Sequence, residues 1–125
     1  MIFDLENSEI NEKYKLMAQT IIPRPIAWVV TEDEGVINIA PFSYFIGLSS
    51  SPATVLISVG HKSNGLPKDT LANIRKNGKC TICMVDEKNL EKMHFSSKEL
   101  EKEISEADEF QIKTKTLLDE FPPMI

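Results

Sequence analysis

Four apolar segments rich in β-branched residues are the feature that most constrains the fold. Each has the length and composition of a buried strand, and they cover residues 26–31, 36–39, 54–59 and 79–85. The first two are separated by a polar segment that ends in Gly35, which predicts an antiparallel hairpin. One helical stretch lies between the third and fourth strands, capped at its start by Asp69 or Thr70 and at its end by Gly78. A doubly wound sheet alternates a helix with every strand, so this order favours a mostly β domain.

Two more helices are expected. A short one precedes Pro23, where Leu16, Met17 and Ile21 supply apolar positions. Residues 86–109 hold nine acidic residues and four lysines. Ser96 and Glu99 have the spacing of a capping box, which predicts an exposed amphipathic helix with Leu100, Ile104 and Ala107 on its apolar face. We assign no chemistry to this acidic segment. The helix between the third and fourth strands should turn Leu71 and Ile74 inward.

The charge and hydropathy of the chain exclude several classes of function. It carries 14 Lys and Arg against 19 Asp and Glu, a net charge of -5. Because nucleic-acid binding draws on clustered Lys and Arg, no nucleic-acid partner is expected. No apolar run approaches the roughly 18 residues of a membrane helix, and the first twelve residues lack the pattern of a signal peptide. We therefore expect one cytoplasmic domain, residues 1–125, with no membrane partner.

The two cysteines suggest a redox or zinc site, but their spacing does not support one. Cys80 and Cys83 lie in a predicted strand and should point to opposite faces, so they cannot form a disulfide with each other. Zinc would need two more ligands, and neither His61 nor His94 lies at ligand spacing from the pair. We expect one buried structural cysteine, one exposed cysteine and no metal. Two free thiols fit a reducing cytoplasm.

The usual nucleotide-binding motifs, G-x-G-x-x-G and the P-loop, are absent. Two other segments could hold an anion. Residues 49–51 are three serines that precede Pro52, and their hydroxyls and amides could turn toward a phosphate. Lys68 and Thr70 place a cation and a hydroxyl at the start of a helix, where unpaired amides favour negative charge. Each segment alone is more typical of an ordinary loop or a helix cap than of a ligand site.

Four motifs taken together resemble the flavin reductase-like family of FMN-binding split-barrel proteins. They are PRPIAWVVT at 23–31, NIAPFSYF at 38–45, SSSP at 49–52 and KDTLANI at 68–74. The resemblance covers residues 14–85 in unbroken order. It implies a Greek-key split β-barrel with accessory helices, an FMN near a dimer interface, and electron transfer through the isoalloxazine ring.

The resemblance also implies which residues contact the flavin, although it names no catalytic residue. The contacts to the isoalloxazine ring and its pyrimidine edge would be Thr31, Asn38, Ala40, Pro41, Phe42 and Ser43. Backbone amides along this segment would stabilise the negative charge of a reduced ring. The contacts to the ribityl chain and phosphate would be Ser49, Ser50, Ser51, Lys68 and Thr70. Without the resemblance, Pro41 and Phe42 would be read as core residues and Asn38 as a turn residue.

Three functions fit this resemblance. The chain would be a reductase that passes electrons from NAD(P)H to FMN or to a partner protein, a non-catalytic FMN electron carrier, or a truncated dimer module without flavin. Relatives continue through strands that close the barrel, so we expect this chain to be truncated before barrel closure. Its open strand edges and the apolar residues Phe42, Tyr44, Phe45 and Ile46 predict a homodimer.

Overall fold

The computed structural model describes residues 2–125 and contains two antiparallel sheets flanked by helices. The strands are β1 (Ala27–Asp33), β2 (Val36–Phe42), β3 (Phe45–Ser50), β4 (Ala53–Ile57) and β5 (Thr81–Met84). The helices are α1 (Ile10–Thr20), α2 (Asp69–Asn77), α3 (Leu90–Phe95) and α4 (Glu106–Glu109), with a 3₁₀ turn (Glu87–Asn89) before α3. The predicted mostly β architecture is confirmed, and over residues 2–125 the sheets stay open.

The larger sheet has the order β2-β1-β5, with β1 antiparallel to both neighbours. The predicted hairpin between β1 and β2 is confirmed. Its turn is formed by Glu34 and Gly35, whose φ angles are 52° and 84°. Two successive residues at positive φ give the type I′ turn whose twist matches a β-hairpin, and glycine adopts that conformation without steric cost.

The second sheet is the hairpin of β3 and β4, in which Phe45 lies opposite Ile57. Strand β3 was not predicted, because Gly47 and a run of serines have low β propensity. Most of its residues are exposed. Ser49 and Ser50 therefore belong to the end of a strand rather than to a loop.

Strand β1 is buried on both faces and divides the core in two. One face carries a cluster formed by Trp28, Val30, Ile39, Cys83, Met93, Ala107 and Ile112. The other face carries Ala27, Val29 and Phe42, with Cys80 among the half-buried residues packed against them. The two cysteines lie on opposite faces, as predicted, and both are free thiols. Cys80 is half-buried rather than fully exposed.

The acidic segment does not form the predicted helix. Helix α3 ends at Phe95, and Ser96 follows that end instead of beginning a new helix. The Ser96 hydroxyl accepts a hydrogen bond of 2.9 Å from the buried indole N–H of Trp28. Glu99 accepts hydrogen bonds from the backbone and hydroxyl of Ser63. Both capping-box residues are thus used in tertiary contacts, which override the local helical pattern.

Helix α2 departs from the prediction on its buried face. Its fully buried residues are Thr70 and Asn73, whereas Leu71 and Ile74 are only half-buried. The residue before its first turn is Lys68, and no side chain caps this end. The predicted cap at Gly78 is confirmed, with φ of 68°. The helix therefore presents polar groups to the sheet. None of the helices within residues 2–125 is long and apolar enough to cross a membrane.

We expect Ser96→Ala to lower the free energy of unfolding by about 1 to 3 kcal/mol, because the buried Trp28 N–H would lose its acceptor. Urea denaturation followed by far-UV circular dichroism measures the loss. Ser97→Ala is the matched control, since Ser97 is exposed, and it should cost less than about 0.5 kcal/mol. Equal losses in the two variants would contradict a structural role for the Trp28 bond.

Candidate functional site

A cavity of about 80 Å³ lies where the edge of β2, the start of α2 and the segment 96–100 meet. It brings together five of the residues that the resemblance assigned: Asn38, Ala40, Pro41, Lys68 and Thr70. The remaining residues around it are Lys62, Asp69, Ser96, Ser97, Lys98, Glu99, Leu100 and Glu106. Residues 38–41 and 68–70 are distant in sequence, and the packing of α2 against the β1–β2 hairpin places them side by side.

A buried polar network holds the inner wall of this cavity. The Asn38 amide nitrogen donates to the hydroxyl oxygens of Thr31, at 3.1 Å, and Thr70, at 2.9 Å. The Asn73 amide nitrogen also donates to Thr31, at 3.1 Å. Asn38 lies directly opposite Thr31 in the hairpin register, so strand pairing and the polar face of α2 together fix the orientation of the Asn38 side chain.

Two members of the network, Thr31 and Asn73, are buried from solvent. Thr31 is 0% exposed, and its hydroxyl already has two protein partners. The Thr31 hydroxyl thus orients the side chains of Asn38 and Asn73 by accepting a hydrogen bond from each. The side-chain oxygen of Asn73 is buried and is the one such atom without a hydrogen-bond partner within residues 2–125. Such an orphan acceptor marks a place where an internal water or a donor group would complete the network.

The charged groups around the cavity are partly paired. The Lys62 ammonium lies 2.8 Å from a carboxylate oxygen of Asp69. Lys68 lines the same cavity and forms no ion pair with any residue from 2 to 125. Lys98, which also lines the cavity, forms no ion pair with these residues either, and Lys68 is the unpaired cation that directly precedes α2.

Glu106 is the least expected residue of the site. It is only 6% exposed, and its carboxylate accepts a 2.9 Å hydrogen bond from the backbone N–H of Ile39. Because β2 is an edge strand, this amide has no neighbouring strand to pair with, and Glu106 takes that place. Burial raises the pKa of the Glu106 carboxyl above its ordinary value, while the hydrogen bond from Ile39 opposes that shift.

The same edge geometry removes the backbone donors that were expected to face a ring. Since the N–H of Ile39 points away from β1, the alternation of an antiparallel ladder directs the amides of Ala40 and Phe42 toward β1. Pro41 has no N–H and occupies an outward position, where an edge strand tolerates proline. Along residues 39–42, the backbone donors are therefore already engaged or absent.

The other assigned residues lie outside this cavity. Phe42 is buried in the second core cluster. The Ser43 carbonyl accepts a 3.0 Å hydrogen bond from the guanidinium of Arg24. Ser49, Ser50 and Ser51 are exposed at the tip of the β3–β4 hairpin and are not among the residues that line the cavity. The structure thus keeps the two predicted phosphate-binding segments on separate elements.

None of the eight remaining cavity residues was predicted as part of a site, and Lys62, Asp69 and Glu106 are among them. Asp69 was interpreted as a helix cap. Glu106 is one of nine acidic residues in the segment 86–109, and its neighbours in the sequence do not distinguish it from the exposed acids. Only the packing of α4 against β2 identifies it.

Neither cysteine lines the cavity. Burial raises the pKa of the Cys80 thiol, whereas reactive cysteines have lowered pKa values. Within residues 2–125, no group of three or more His, Cys, Asp or Glu side chains is arranged to hold a metal ion.

We expect Glu106→Gln to be more stable than the wild type at neutral pH, because glutamine can still accept the Ile39 N–H without burying a charge. Since the folded-state pKa is raised above 4.5, the cost of ionising Glu106 is absent below that pH and grows as the pH rises through the folded-state pKa. The variant's advantage in unfolding free energy over the wild type should therefore increase as the pH rises. Denaturant titrations from about pH 4 to pH 8 test this dependence. The exposed Glu109 offers a control in Glu109→Gln, and a difference independent of pH in Glu106→Gln would contradict the assignment.

Comparison with known proteins identifies the family to which the chain belongs. A family model described as a flavin reductase like domain matches residues 17–125. The protein BH2278 of Halalkalibacterium halodurans is 43% identical over 98 residues, which are 78% of this chain and 47% of that protein. The chain spans about half the length of the curated relatives it matches.

Two solved structures are similar over almost the whole chain. The 2-nitrobenzoate 2-nitroreductase NbaA of Pseudomonas fluorescens has a TM-score of 0.87 and 30% identity, covering 100% of this chain and 59% of that one. A split barrel domain protein from Shewanella frigidimarina has a TM-score of 0.80 and 22% identity, covering 99% of this chain and 62% of that one. The second likeness concerns the fold alone, and it matches the predicted split-barrel class.

Proposed function

Because the chain belongs to the flavin reductase-like domain family, we propose that it is an FMN-binding flavoprotein that passes electrons from NAD(P)H to FMN or to a partner protein. The observation that carries the proposal is the shared cavity of residues 38–41 and 68–70. These are two of the motifs on which the resemblance depends, and α2 brings them to one edge of the sheet. The free thiols fit a reducing compartment, so we place the protein in the cytoplasm.

The donor set at the start of α2 fits a phosphate group. Lys68 supplies an ammonium without an ion-pair partner in the described chain, and Thr70 lines the same cavity. Helix α2 is nine residues long and has no side-chain cap at its start. The Leu71 and Ala72 amides donate to the Lys68 carbonyl, which leaves the amides of Asp69 and Thr70 to an anion. Lys68 would pair with the phosphate, and the α2 amides would donate to it.

The cavity is too small for a whole FMN. Ligand pockets usually measure about 300 to 1,000 Å³, against about 80 Å³ here. The phosphate end fits, and the flavin ring would extend beyond the cavity along the β2 edge. When bound, the flavin would supply reversible electron transfer, which none of the chain's own side chains provides. The polar network on Asn38 would fix the wall beside it.

The similarity to a 2-nitrobenzoate 2-nitroreductase, at 30% identity, favours an enzyme over a passive carrier. The visible spectrum of the purified protein and an NAD(P)H assay separate the candidates. Steady NAD(P)H oxidation that depends on added flavin supports a reductase. A yellow protein without turnover supports an electron carrier. A colourless protein that does not bind FMN would contradict both.

We expect Lys68→Ala to weaken FMN binding by about 1.5 to 3 kcal/mol, because a charge-assisted contact to the phosphate is lost. Riboflavin has no phosphate, so its affinity should hardly change. Titrations that follow the quenching of flavin fluorescence measure both ligands. Lys113→Ala is the control, since Lys113 is exposed and outside the cavity. Equal losses for FMN and riboflavin would show that Lys68 does not contact phosphate.

We further propose that the protein is a homodimer. An apolar groove runs between the end of α1 and the β3–β4 hairpin, lined by Met17, Ile21, Pro23, Arg24, Pro25, Tyr44, Phe45, Ile46, Gly47, Leu56 and Ser58. Ile46 is 62% exposed. An apolar surface beside open strand edges is stabilised by a second copy of the chain. A partner copy would also complete a flavin site that one chain supplies only in part.

Ile46→Asp should convert the dimer into a monomer and release FMN, because a charge in the apolar groove opposes association. Sedimentation of the FMN-loaded protein, followed at flavin and protein wavelengths, measures both effects. Leu66→Asp is the control, since Leu66 is 59% exposed but lies outside the groove. A wild-type monomer that retains flavin would contradict both the dimer and its part in the site.

A further inference from the structure

The cavity at the start of α2 carries no net positive charge, although it is proposed to bind a phosphate. Its lining holds three lysines and three acids: Lys62, Lys68, Lys98, Asp69, Glu99 and Glu106. Lys62 and Asp69 neutralise each other at 2.8 Å. An anion that enters this cavity is therefore attracted by two lysines and repelled by two carboxylates.

The two remaining carboxylates, Glu99 and Glu106, differ in their burial. Glu99 is exposed and is held at the surface by Ser63, so water screens its charge. Glu106 is buried and held by the Ile39 amide at 2.9 Å. Within residues 2–125, no cation lies within ion-pair distance of Glu106. When it is ionised, this carboxylate is poorly screened and lines the same cavity as Lys68.

The hydrogen bond from the Ile39 N–H does not explain why residue 106 is an ionisable glutamate. A glutamine would accept the same N–H and would avoid the cost of burying an unpaired charge. The charge itself is thus a feature of the site rather than a requirement of the fold.

We propose that Glu106 is a specificity-determining residue whose carboxylate weakens the binding of phosphorylated flavin relative to unphosphorylated flavin. This inference rests on the proposed flavin-binding function and deepens it. The repulsion opposes the attraction of Lys68, so FMN is held loosely and can exchange. A protein that reduces FMN and releases it needs such exchange, whereas a permanent carrier does not.

The proposal also predicts how affinity depends on pH. The charged groups that face Glu106 are Lys62 and Asp69, an internal pair, together with Lys68, Lys98 and Glu99. Glu99 is exposed. Burial raises the pKa of Glu106 above its ordinary value, so its carboxylate is neutralised earlier, as the pH falls, than an ordinary glutamate would be. The difference between the wild type and Glu106→Gln in their preference for FMN over riboflavin should therefore shrink at lower pH.

The test compares FMN and riboflavin binding to the wild type, Glu106→Gln and Glu109→Gln at low salt. Coulomb repulsion across a solvated cavity predicts that Glu106→Gln binds FMN roughly fivefold more tightly, with riboflavin unchanged. Glu109→Gln removes the same charge from an exposed position on α4 and should bind both flavins as the wild type does. The gain in FMN affinity should shrink at high salt.

Three results would overturn the inference. They are an unchanged ratio of FMN to riboflavin affinity in Glu106→Gln, an equal gain for both flavins, and a loss of FMN affinity. If no variant and no wild-type protein binds either flavin, the proposed function fails as well, which distinguishes that failure from the first three results. The pH arm compares the wild type with Glu106→Gln, so the second ionisation of the FMN phosphate, with a pKa of about 6, is common to both proteins and cancels.

Discussion

The burial of β1 on both faces is the constraint on which the rest of the structure depends. Its residues from Ala27 to Thr31 are almost completely inaccessible to solvent, although residues 2–125 form only two small sheets. One face requires apolar cover, which α3 and α4 provide through Met93 and Ala107. The other face changes from apolar to polar along the strand, from Ala27 and Val29 to Thr31. The positions of the elements packed against β1 therefore follow from the need for apolar cover on one face and for polar partners at Thr31 on the other.

This change of polarity along β1 creates the site. At the apolar end the strand packs against Phe42, and at the polar end Thr31 requires hydrogen-bonding partners. Asn38 and Asn73 satisfy it, which explains why the buried face of α2 is polar rather than leucine-rich. The start of α2 is thereby held beside the β2 edge. The position of the proposed phosphate site thus follows from a single buried hydroxyl.

The parts that could be predicted from the sequence are those determined by local patterns. The β1–β2 hairpin follows from its apolar runs and from Gly35, and the end of α2 follows from Gly78. The resemblance motifs identified the family, and they include Asn38 and Lys68, which line one cavity in the structure. The rest depends on long-range contacts: Ser96 bonds to Trp28 instead of starting a helix, and Glu106 reaches the amide of Ile39. No local sequence pattern predicts those partners. Strand β3 was missed because its glycine and serines have low β propensity.

The bond between Trp28 and Ser96 also gives the molecule an internal reporter. The chain has a single tryptophan, and its indole N–H is joined to a residue that lines the cavity. The emission of an indole responds to its hydrogen bonding and to nearby absorbing groups. A ligand in the cavity would lie beside the acceptor of the indole N–H, so tryptophan fluorescence is expected to report its binding without any label.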